Sequence, residues 1–370
     1  MSAPRRLRLG LAYAGVLFVS WFVLLNLDAR SSLAAPRLRS AEQAVLVDED
    51  LELARRYAPW ILHAAHPGRG RQDVPTRIDY DGDLLGDNNW DDLPFFELPP
   101  TVYYALVETE SHWFLTYHLF HPRDWASVRL GLNDTHENDG ENLQVVVEKA
   151  SGRPQLLFTQ AHFDGVAHAA AHASFAEGAD VLRGELLCAD EAGAFGPAGT
   201  HAAVFVESGG HGIHGVDHEH VRVEEGAARL AVSGWQLRPA AAGEALVEPD
   251  PAAAGLGSEA PVYAYQLASL PRTLWAGVRD GSLLGHARLF DGGVDYADEA
   301  LELELPRYYE ADRFSGPLGN DRGISPFAVD FEFEEGPLGA LLFDPARRWG
   351  EVLELPQDWS TTYLRHPFRD

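Results

Sequence analysis

Histidine and acidic side chains crowd the middle of this 370-residue sequence. Twelve of its sixteen histidines lie between His112 and His220, which is less than a third of the chain. Imidazole nitrogens and carboxylate oxygens are common ligands of divalent metals, and imidazole is also the usual general acid or base near neutral pH. This concentration therefore points to metal binding, or to acid–base chemistry beside a bound metal.

The acidic segment 136–141 (HENDGE) runs directly into the apolar stretch 143–147. In a strand without a bulge, Asp139 and Glu141 face the same side as every second residue of that stretch, the side that becomes core. Burying an isolated carboxylate is very costly, so such groups are paired, protonated or metal-bound. We predict a divalent-metal site with Asp139, Glu141 and His136 as ligands. Pairing with arginine, or a hydrogen-bonded acidic strand end, is the alternative.

Two later segments add histidines to this site. His162 and Asp164 share parity in segment 159–164, and the glycine-rich segment 207–220 follows an apolar strand. A histidine at a strand end among glycines is well placed to reach a ligand, and histidine-rich tracts suit Zn²⁺ or another borderline metal. We predict His162 and His211 as further metal ligands, against the alternative of a solvated loop. Candidates for contact with a bound ligand are Asp164, His214 and Trp125.

Segment 79–92 alternates aspartates with other residues, as in loops that wrap a hard cation. It begins like an EF-hand loop, but Leu84 stands where that loop needs glycine and Trp90 where it needs glutamate. We therefore predict a second cation site of another type, with a solvated acidic turn as the alternative. Its candidate ligands are Asp79, Asp81, Asp83 and Asp87.

The elements that must position these residues are mostly short strands separated by Gly, Pro and Asp clusters. Residues alternate with period two in the candidate strands 102–109, 113–120, 143–147, 155–163, 201–208, 229–237 and 262–267. Helices are predicted at about 41–57, after Pro271 and near 338–349. This pattern indicates a mainly β fold, an antiparallel β-sandwich with a few peripheral helices, in one domain over 41–370.

An apolar segment precedes this domain. Arg5, Arg6 and Arg8 stand before an uncharged, mostly apolar run from Leu9 to Leu27. At about 1.5 Å per residue this run spans roughly 28 Å, close to the hydrocarbon thickness of a bilayer. We predict that 1–36 is a transmembrane signal anchor, with the remainder on the extracytoplasmic side. The alternative is a cleaved signal peptide, which would make the protein secreted.

Composition excludes several classes of protein. The net charge of −27, from 29 Lys and Arg against 56 Asp and Glu, argues against nucleic acid as a partner. The single cysteine, Cys188, excludes an intramolecular disulfide framework and a cysteine-based zinc ribbon. The sequence contains no G-x-S-x-G, H-E-x-x-H or Walker motif.

Four segments, in order and spacing, resemble the vacuolar protein sorting-associated protein 62 family, including its bacterial members. The second resembles the family signature His-Glu-Gly-Asp-Trp-Glu. The likeness covers about residues 57–215 and is looser from there to Phe368. The family has no established catalytic activity, so the resemblance implies no particular reaction. The segments are WFLTYHLFHPRDW (113–125), HENDGE (136–141), QAH (160–162) and HAAVFVESGGH (201–211).

The same acidic segment is similar to the central heptapeptide of the necrosis-inducing protein family. Members of that family are β-sandwich toxins that bind a divalent cation beside a sphingolipid headgroup. This resemblance implies metal ligands at Asp139 and Glu141, with His136 nearby. The tryptophan of both family signatures is replaced here by Gly140.

The sequence therefore predicts a membrane-anchored, extracytoplasmic protein with a divalent-metal site that binds a polar ligand, such as a glycan or a lipid headgroup. The residue types do not distinguish Ca²⁺, Mg²⁺, Mn²⁺ and Zn²⁺. One alternative is a metal-dependent hydrolase of phosphoesters or glycans, with Glu137 or Asp164 as general base. Another is an envelope protein that only needs Ca²⁺ for stability.

Overall fold

The computed structural model describes residues 50–125, 135–162, 164–173, 175, 181–290, 309–311, 323–332 and 339–369, and the backbone of 294–295 and 304–305. Strands are the main regular elements of the described chain, and thirteen of them join one large mixed sheet. In chain order the strands are β1 (Trp60–Ala64), β2 (Thr101–Thr109), β3 (His112–Asp124), β4 (His136–Glu148), β5 (Arg153–Ala161), β6 (Asp164–Ala169), β7 (Leu182–Glu185), β8 (Cys188–Ala189), β9 (His201–Val206), β10 (Ile213–His214), β11 (Val221–Glu224), β12 (Ala227–Leu230), β13 (Gly234–Pro239), β14 (Val262–Ser269), β15 (Val294–Asp295), β16 (Glu304–Leu305) and β17 (Tyr363–Arg365).

Helices are short and lie between or after the strands. The α-helices are α1 (Leu51–Tyr57), α2 (Asn89–Asp92), α3 (Ala276–Arg279), α4 (Ala340–Phe343) and α5 (Pro345–Val352). A π-helical turn (Pro271–Trp275) leads into α3, and 3₁₀ turns cover Gly70–Asp73, Pro251–Ala253 and Gly257–Glu259. No described helix is long and apolar enough to cross a membrane. The predicted anchor over 1–36 lies outside the described residues.

The main sheet has the strand order β10-β9-β1-β13-β14-β2-β3-β4-β5-β6-β7, with β17 beside β2 and β8 beside β9. The two longest described strands, β3 and β4, pair along twelve residues of each. The sheet is curled, as shown by the edge strand β10, which also contacts β4 and β5. This curl brings the loops after β9 next to the start of β4.

The alternating pattern of the sequence places large side chains in the core between the sheet and its covering segments. Tyr104, Tyr117 and Phe158 are fully buried on the central strands, and Trp349 of α5 packs there and donates its indole N–H to Gln144. Burial of such side chains stabilises the fold by about 1.5–3 kcal/mol each. The central strands are thereby fixed in one register, because a slip of one residue would exchange core and solvent faces.

The mainly β prediction is confirmed, whereas the purely antiparallel arrangement is wrong. Four strand pairs are parallel: β1 with β9, β13 with β14, β14 with β2, and β6 with β7. Parallel neighbours need long crossover connections, which the sequence carries in segments such as 240–261. Period two does not report strand direction, so the pattern could not distinguish the two arrangements.

Predicted element positions agree with the structure at the centre of each element and differ at the ends. Helix α1 ends at Tyr57, at the predicted limit, and the part before residue 50 lies outside the described residues. The predicted strand 229–237 is two strands, because β12 pairs with β11 while β13 returns to the main sheet. The predicted strand 155–163 ends at Ala161, because His162 adopts a left-handed conformation with φ of 58°.

Candidate metal centre

The predicted site residues of β4 lie opposite polar residues of β3. The register places His121 opposite Asp139 and Asp124 opposite His136. Residues directly opposite each other in an antiparallel pair have side chains on the same face, about 4.5–5.5 Å apart at Cβ. Two pairs of a histidine and an aspartate therefore lie next to each other where β3 ends and β4 begins.

The two pairs would face opposite sides of a regular strand, because His136 and Asp139 differ in parity. Between them, Asn138 has a φ of 55°, a left-handed conformation that asparagine tolerates better than most residues. It stands beside Pro122, which has no N–H to give to the ladder. Its side chain is held by the carbonyl oxygens of Gly86 and Glu310. This break in alternation allows His136 and Asp139 to approach the same point.

One group of potential ligands therefore forms from Asp124, His136 and Asp139, whose ligand atoms all lie within 4.8 Å of one another. His136 Nδ1 donates to the carbonyl oxygen of Glu137 at 2.7 Å, which leaves Nε2 as the nitrogen with a lone pair when the ring is neutral. That nitrogen lies 3.6 Å from Asp124 Oδ2. The side chains keep exposures of 8–11%, so solvent can reach the group.

Glu141 adds a third carboxylate. Its Oε1 accepts the backbone N–H of His162 at 2.8 Å, while Oε2 is buried and has no hydrogen-bond partner. Burial raises the pKa of Glu141 well above its usual range, and the negative charges of Asp139 and Asp124 raise it further. A buried carboxylate oxygen without a donor is costly, and a bound cation would satisfy it. The residues present therefore fit a divalent ion.

A buried histidine on the inner side bridges two carboxylates. His211 Nδ1 donates to Asp139 Oδ2 at 2.7 Å, and its Nε2 donates to Asp73 Oδ1 at 3.2 Å. Burial alone would lower the pKa of His211, but the hydrogen bonds and charges of Asp139 and Asp73 raise it to about 9. Both nitrogens therefore carry protons at neutral pH, and His211 binds no metal in this state because it has no lone pair to give.

Asp73 is the inner anchor of this bridge. It is fully buried and accepts four hydrogen bonds, from His211, the backbone N–H groups of His66 and Gly209, and the Ser208 hydroxyl. These four donors offset the cost of burying a carboxylate. Asp73 therefore holds the loop after β9 against the 3₁₀ turn Gly70–Asp73.

Two more buried histidines, His63 and His121, lie next to His211 and extend this polar cluster. His63 Nδ1 donates to the Ala64 carbonyl at 2.7 Å, so its Nε2 must accept from His121 Nε2 at 3.1 Å. His121 Nδ1 is then a bare nitrogen, buried and without a hydrogen-bond partner. Burial lowers the pKa of His63 to about 4 and that of His121 well below its usual value. The His121 ring stacks on His211, with centroids 3.8 Å apart. His121, His211 and Asp139 form another potential ligand group.

The surroundings of Gly140 explain why this chain has no tryptophan at this position of the signatures. A Cβ at this position would lie 2.7 Å from His118 Cε1 and from the Ile324 carbonyl, and 2.9 Å from the Tyr309 ring. The space that a larger side chain would need is therefore filled by Tyr309, whose hydroxyl bonds to His118. His118 also donates to Asn142 at 3.0 Å, so both of its nitrogens are used.

Not every predicted ligand joins this group. The His162 imidazole is 57% exposed and lies 3.8 Å from Glu207 rather than beside Asp139, although its backbone supports Glu141. His214 also faces Glu207. Asp164 is exposed on β6. Trp125 is buried, with Arg69 4.5 Å from the ring centre.

The predicted second cation site is partly assembled. Ligand atoms of Asp79, Asp81 and Asp83 lie within 4.8 Å of one another, and Asp87 is not in that group. Asp79 and Asp83 accept backbone N–H groups of the same loop, as in an ordinary acidic turn. Burial and the charge of Asp83 raise the pKa of Asp81 to about 7. A cation at this loop stays a prediction.

Sequence reasoning missed four residues of the centre: Asp73, His63, His121 and Asp124. The register of β3 with β4 would have found His121 and Asp124, because each stands opposite a predicted ligand. No local pattern marks Asp73 or His63, which approach only through the folding of distant segments.

Comparisons with known proteins leave the family open. No family model matches the chain, and no curated protein matches it. The resemblance to the vacuolar protein sorting-associated protein 62 family therefore stays a prediction.

Among solved structures, the chain is similar to a complex of NLPPya with glucosamine (18% identity, 50% of this chain and 74% of that one, TM-score 0.27). It is also similar to necrosis and ethylene inducing protein 2 from the causal agent of cocoa's witches' broom disease (14% identity, 46% and 64%, TM-score 0.25). A third is the non-toxic HaNLP3 protein (13% identity, 48% and 70%, TM-score 0.27). These proteins belong to the toxin-fold group that the sequence resembles distantly, and at these scores they carry no argument about function.

Proposed function

We propose that this protein binds a divalent cation between β3 and β4 and uses the cation to hold a polar ligand. The protein ligands would be Asp124, His136 and Asp139, with Glu141 beside them. The observation that carries the proposal is the buried, unpartnered Oε2 of Glu141 next to two further carboxylates and a histidine with an available nitrogen. A cation bound by Asp124, His136 and Asp139 would also offset the charge of Glu141, which lies beside Asp139 and Asp124.

The composition of the group favours a hard or intermediate ion. Two carboxylates and one imidazole, with the third carboxylate of Glu141 beside them, suit Mg²⁺, Ca²⁺ or Mn²⁺, which prefer oxygen ligands. The inner group of His121, Asp139 and His211 is richer in nitrogen, but His211 would first have to lose a proton. We therefore expect the ion at the outer group, with His211 remaining as the counter-charge of Asp139.

The outer position of this group supports ligand binding. Asp124, His136 and Asp139 keep a small exposed surface, whereas His121, His211 and Asp73 have none. An ion with three or four protein ligands retains open coordination positions for oxygen atoms of a second molecule. Sugar hydroxyls and phosphate oxygens are ligands of this kind. We propose that the bound ligand is a glycan or a lipid headgroup. The N-terminal segment would anchor the protein in a membrane, with this site on the extracytoplasmic side.

The geometry favours binding over hydrolysis. Glu137 is fully buried and accepts the backbone N–H of Trp90 at 2.7 Å, while Asp164 is exposed on β6. Neither belongs to a described group of potential metal ligands. A general base must reach the water or hydroxyl that it deprotonates, and neither carboxylate is placed to do so beside the proposed ion.

The test is cation-dependent binding by the full-length protein. Immobilised glycans and phospholipid vesicles would be probed with Mn²⁺ or Ca²⁺ present, and again after chelation. We expect retention on at least one surface with the cation and its loss with chelator or in Glu141→Gln, while Asp164→Asn behaves as wild type. Retention that is equal with and without chelator would refute the proposal. Cation-dependent release of phosphate or sugar would instead favour the hydrolase.

A further inference from the structure

A second group of polar side chains lies where β9 ends and β10 begins. Glu207 follows β9, His214 belongs to β10, and His218 lies in the turn that follows. The Glu207 N–H donates to the Gly212 carbonyl at 3.1 Å, which turns the chain back on itself. Phe205 stacks on the His218 ring with centroids 4.6 Å apart. The fold thereby fixes all three groups around one point.

The distances within this group fit a metal ion better than hydrogen bonds. His214 Nε2 and His218 Nε2 each lie 3.4 Å from Glu207 Oε1. An N–H···O hydrogen bond is usually about 2.7–3.2 Å long. Two ligands of a tetrahedral ion with bonds of about 2.0–2.1 Å stand about 3.4 Å apart. His214 Nε2 is also buried and has no hydrogen-bond partner.

Gly212 leaves space beside these ligand atoms. A Cβ there would lie 3.2 Å from His214 Nε2 and 3.3 Å from Glu207 Oε2. These distances are tighter than ordinary contacts, so any side chain at 212 would push against both groups. The nearest atom to that Cβ would be Ala161 Cβ, at 3.1 Å, so glycine at 212 allows Ala161, Glu207 and His214 to lie close together.

We propose that Glu207, His214 and His218 bind a borderline divalent metal, Zn²⁺ in particular. Two imidazoles and one carboxylate are a ligand set that Zn²⁺ accepts in proteins, with a fourth position for water. A protein candidate for that position is His162, whose side chain is 57% exposed and lies 3.8 Å from Glu207 Oε2. This site is separate from the carboxylate-rich centre at Asp139 and does not depend on the proposed function.

The two histidines should contribute unequally. His218 Nδ1 accepts the backbone N–H of His220 at 3.2 Å, so the proton of the neutral ring lies on Nε2. A metal at Nε2 requires that proton to move and this contact to break. We therefore expect His214 to contribute more to metal affinity than His218.

The test is competition for Zn²⁺ between the full-length protein and a coloured chelator. Replacing a partner that only orients a ligand costs 10–100-fold in affinity, so loss of a direct ligand should cost more. We expect His214→Ala and Glu207→Gln to weaken binding at least about a hundredfold, with a smaller loss for His218→Ala. Gly212→Ala removes no ligand and should still weaken binding by at least about tenfold.

Two controls separate this site from its neighbours. His220→Ala removes a half-exposed histidine outside the ligand group, and Asp139→Asn alters the other centre. Both should bind Zn²⁺ as wild type does, and a Co²⁺-loaded protein should show the strong visible absorption of a four-coordinate ion, lost in His214→Ala. Zinc binding that is unchanged in both His214→Ala and Glu207→Gln, or no binding at micromolar Zn²⁺, would overturn the proposal.

Discussion

At the scale of single residues, His211 is the group on which the inner half of the centre depends. It is fully buried between Asp73 and Asp139, with one hydrogen bond to each. Removing one partner of a buried ionic group costs about 3–5 kcal/mol, because the remaining charges stay buried without a partner. We predict that His211→Gln loses stability of this order in chelated protein, measured by urea unfolding. His220→Gln, at a half-exposed position outside the centre, should stay within about 0.5 kcal/mol of wild type. An equal effect of the two variants would contradict this role.

Gly140 gives a second prediction at this scale. A methyl group there would meet the Ile324 carbonyl and His118 at 2.7 Å. Overpacking of a filled interior costs about 1–3 kcal/mol. Gly140→Ala should therefore lower the free energy of unfolding by this amount, and Gly196→Ala, where no atom lies within 4 Å, should be neutral. A neutral Gly140→Ala would mean that the Tyr309 segment does not occupy this space in solution.

The sequence could predict a ligand only where the alternation of residues along one strand shows which face its side chain takes. Asp139 and Glu141 share parity with the apolar residues of β4, and the structure buries both. His162 has a similar local pattern, yet its left-handed backbone ends the strand and leaves its ring exposed. Asp73 reaches His211 across 138 positions of sequence, and no local pattern carries that information.

At the scale of elements, the start of β4 combines regular pairing with one irregular residue. The register with β3 sets which residues face each other, while left-handed Asn138 allows residues of both parities to meet. The condition stated for the sequence, that no bulge intervenes, holds from Asp139 to Val147, because the irregular residue Asn138 precedes that stretch. The irregularity adds His136 and Asp124 to the group.

The acidic loop gives a prediction at the scale of an element. Burial, followed by the charge of Asp83, raises the pKa of Asp81 to about 7 in the folded protein, against 3.8 as its ordinary value. A raised acid pKa means that stability falls as pH rises from about 4 through 7, because the folded state resists ionisation. We predict that Asp81→Asn is more stable than wild type at pH 8 in chelator, measured by thermal unfolding.

Calcium should reverse that order if the loop holds a cation. Added Ca²⁺ would stabilise wild type by mass action and stabilise Asp81→Asn less. Asp87→Asn is the matched control, because Asp87 lies outside the group formed by Asp79, Asp81 and Asp83. A wild-type melting temperature that Ca²⁺ does not change would identify the loop as an ordinary acidic turn.

At the scale of the whole molecule, strand content follows from period-two alternation, whereas topology does not. The sequence indicates most strands of the sheet, because half-buried strands alternate apolar and polar residues. The parallel pairing of β14 with β13 and β2 depends on long connections whose course no local pattern reports. The proximity of β10 to β4 likewise arises from the curl of the whole sheet.

Buried neutral histidines predict that the fold is sensitive to acid. Burial lowers the pKa of His63 to about 4 and that of His118 to about 3, against 6.5 in the unfolded chain. Their contribution to stability is complete above about pH 6.5 and is lost as pH falls towards these values, because the unfolded state takes up protons that the folded state does not. Each histidine lowers the free energy of unfolding by up to about 1.4 kcal/mol per pH unit of acidification in that range.

Urea unfolding in chelator at pH 7.5 and pH 5.5 measures this effect. Between the two pH values wild type should lose stability relative to His118→Gln, because that variant lacks one of the buried neutral histidines. The raised pKa values of Asp81 and His211 act in the opposite direction, but they are present in both proteins. His220→Gln should keep the wild-type dependence on pH. The same dependence on pH in wild type and His118→Gln would show that the His118 ring is not buried in neutral form.

The most direct test of the central claim is the cation content of the full-length protein. Chelated protein would be dialysed against Mn²⁺ or Ca²⁺, and the bound ion measured by elemental analysis in wild type, Glu141→Gln, Asp124→Asn and Asp164→Asn. The carboxylate group between β3 and β4 predicts one equivalent fewer in the first two variants and no change in the third, with all three variants folded. Equal cation content in all four proteins would contradict it.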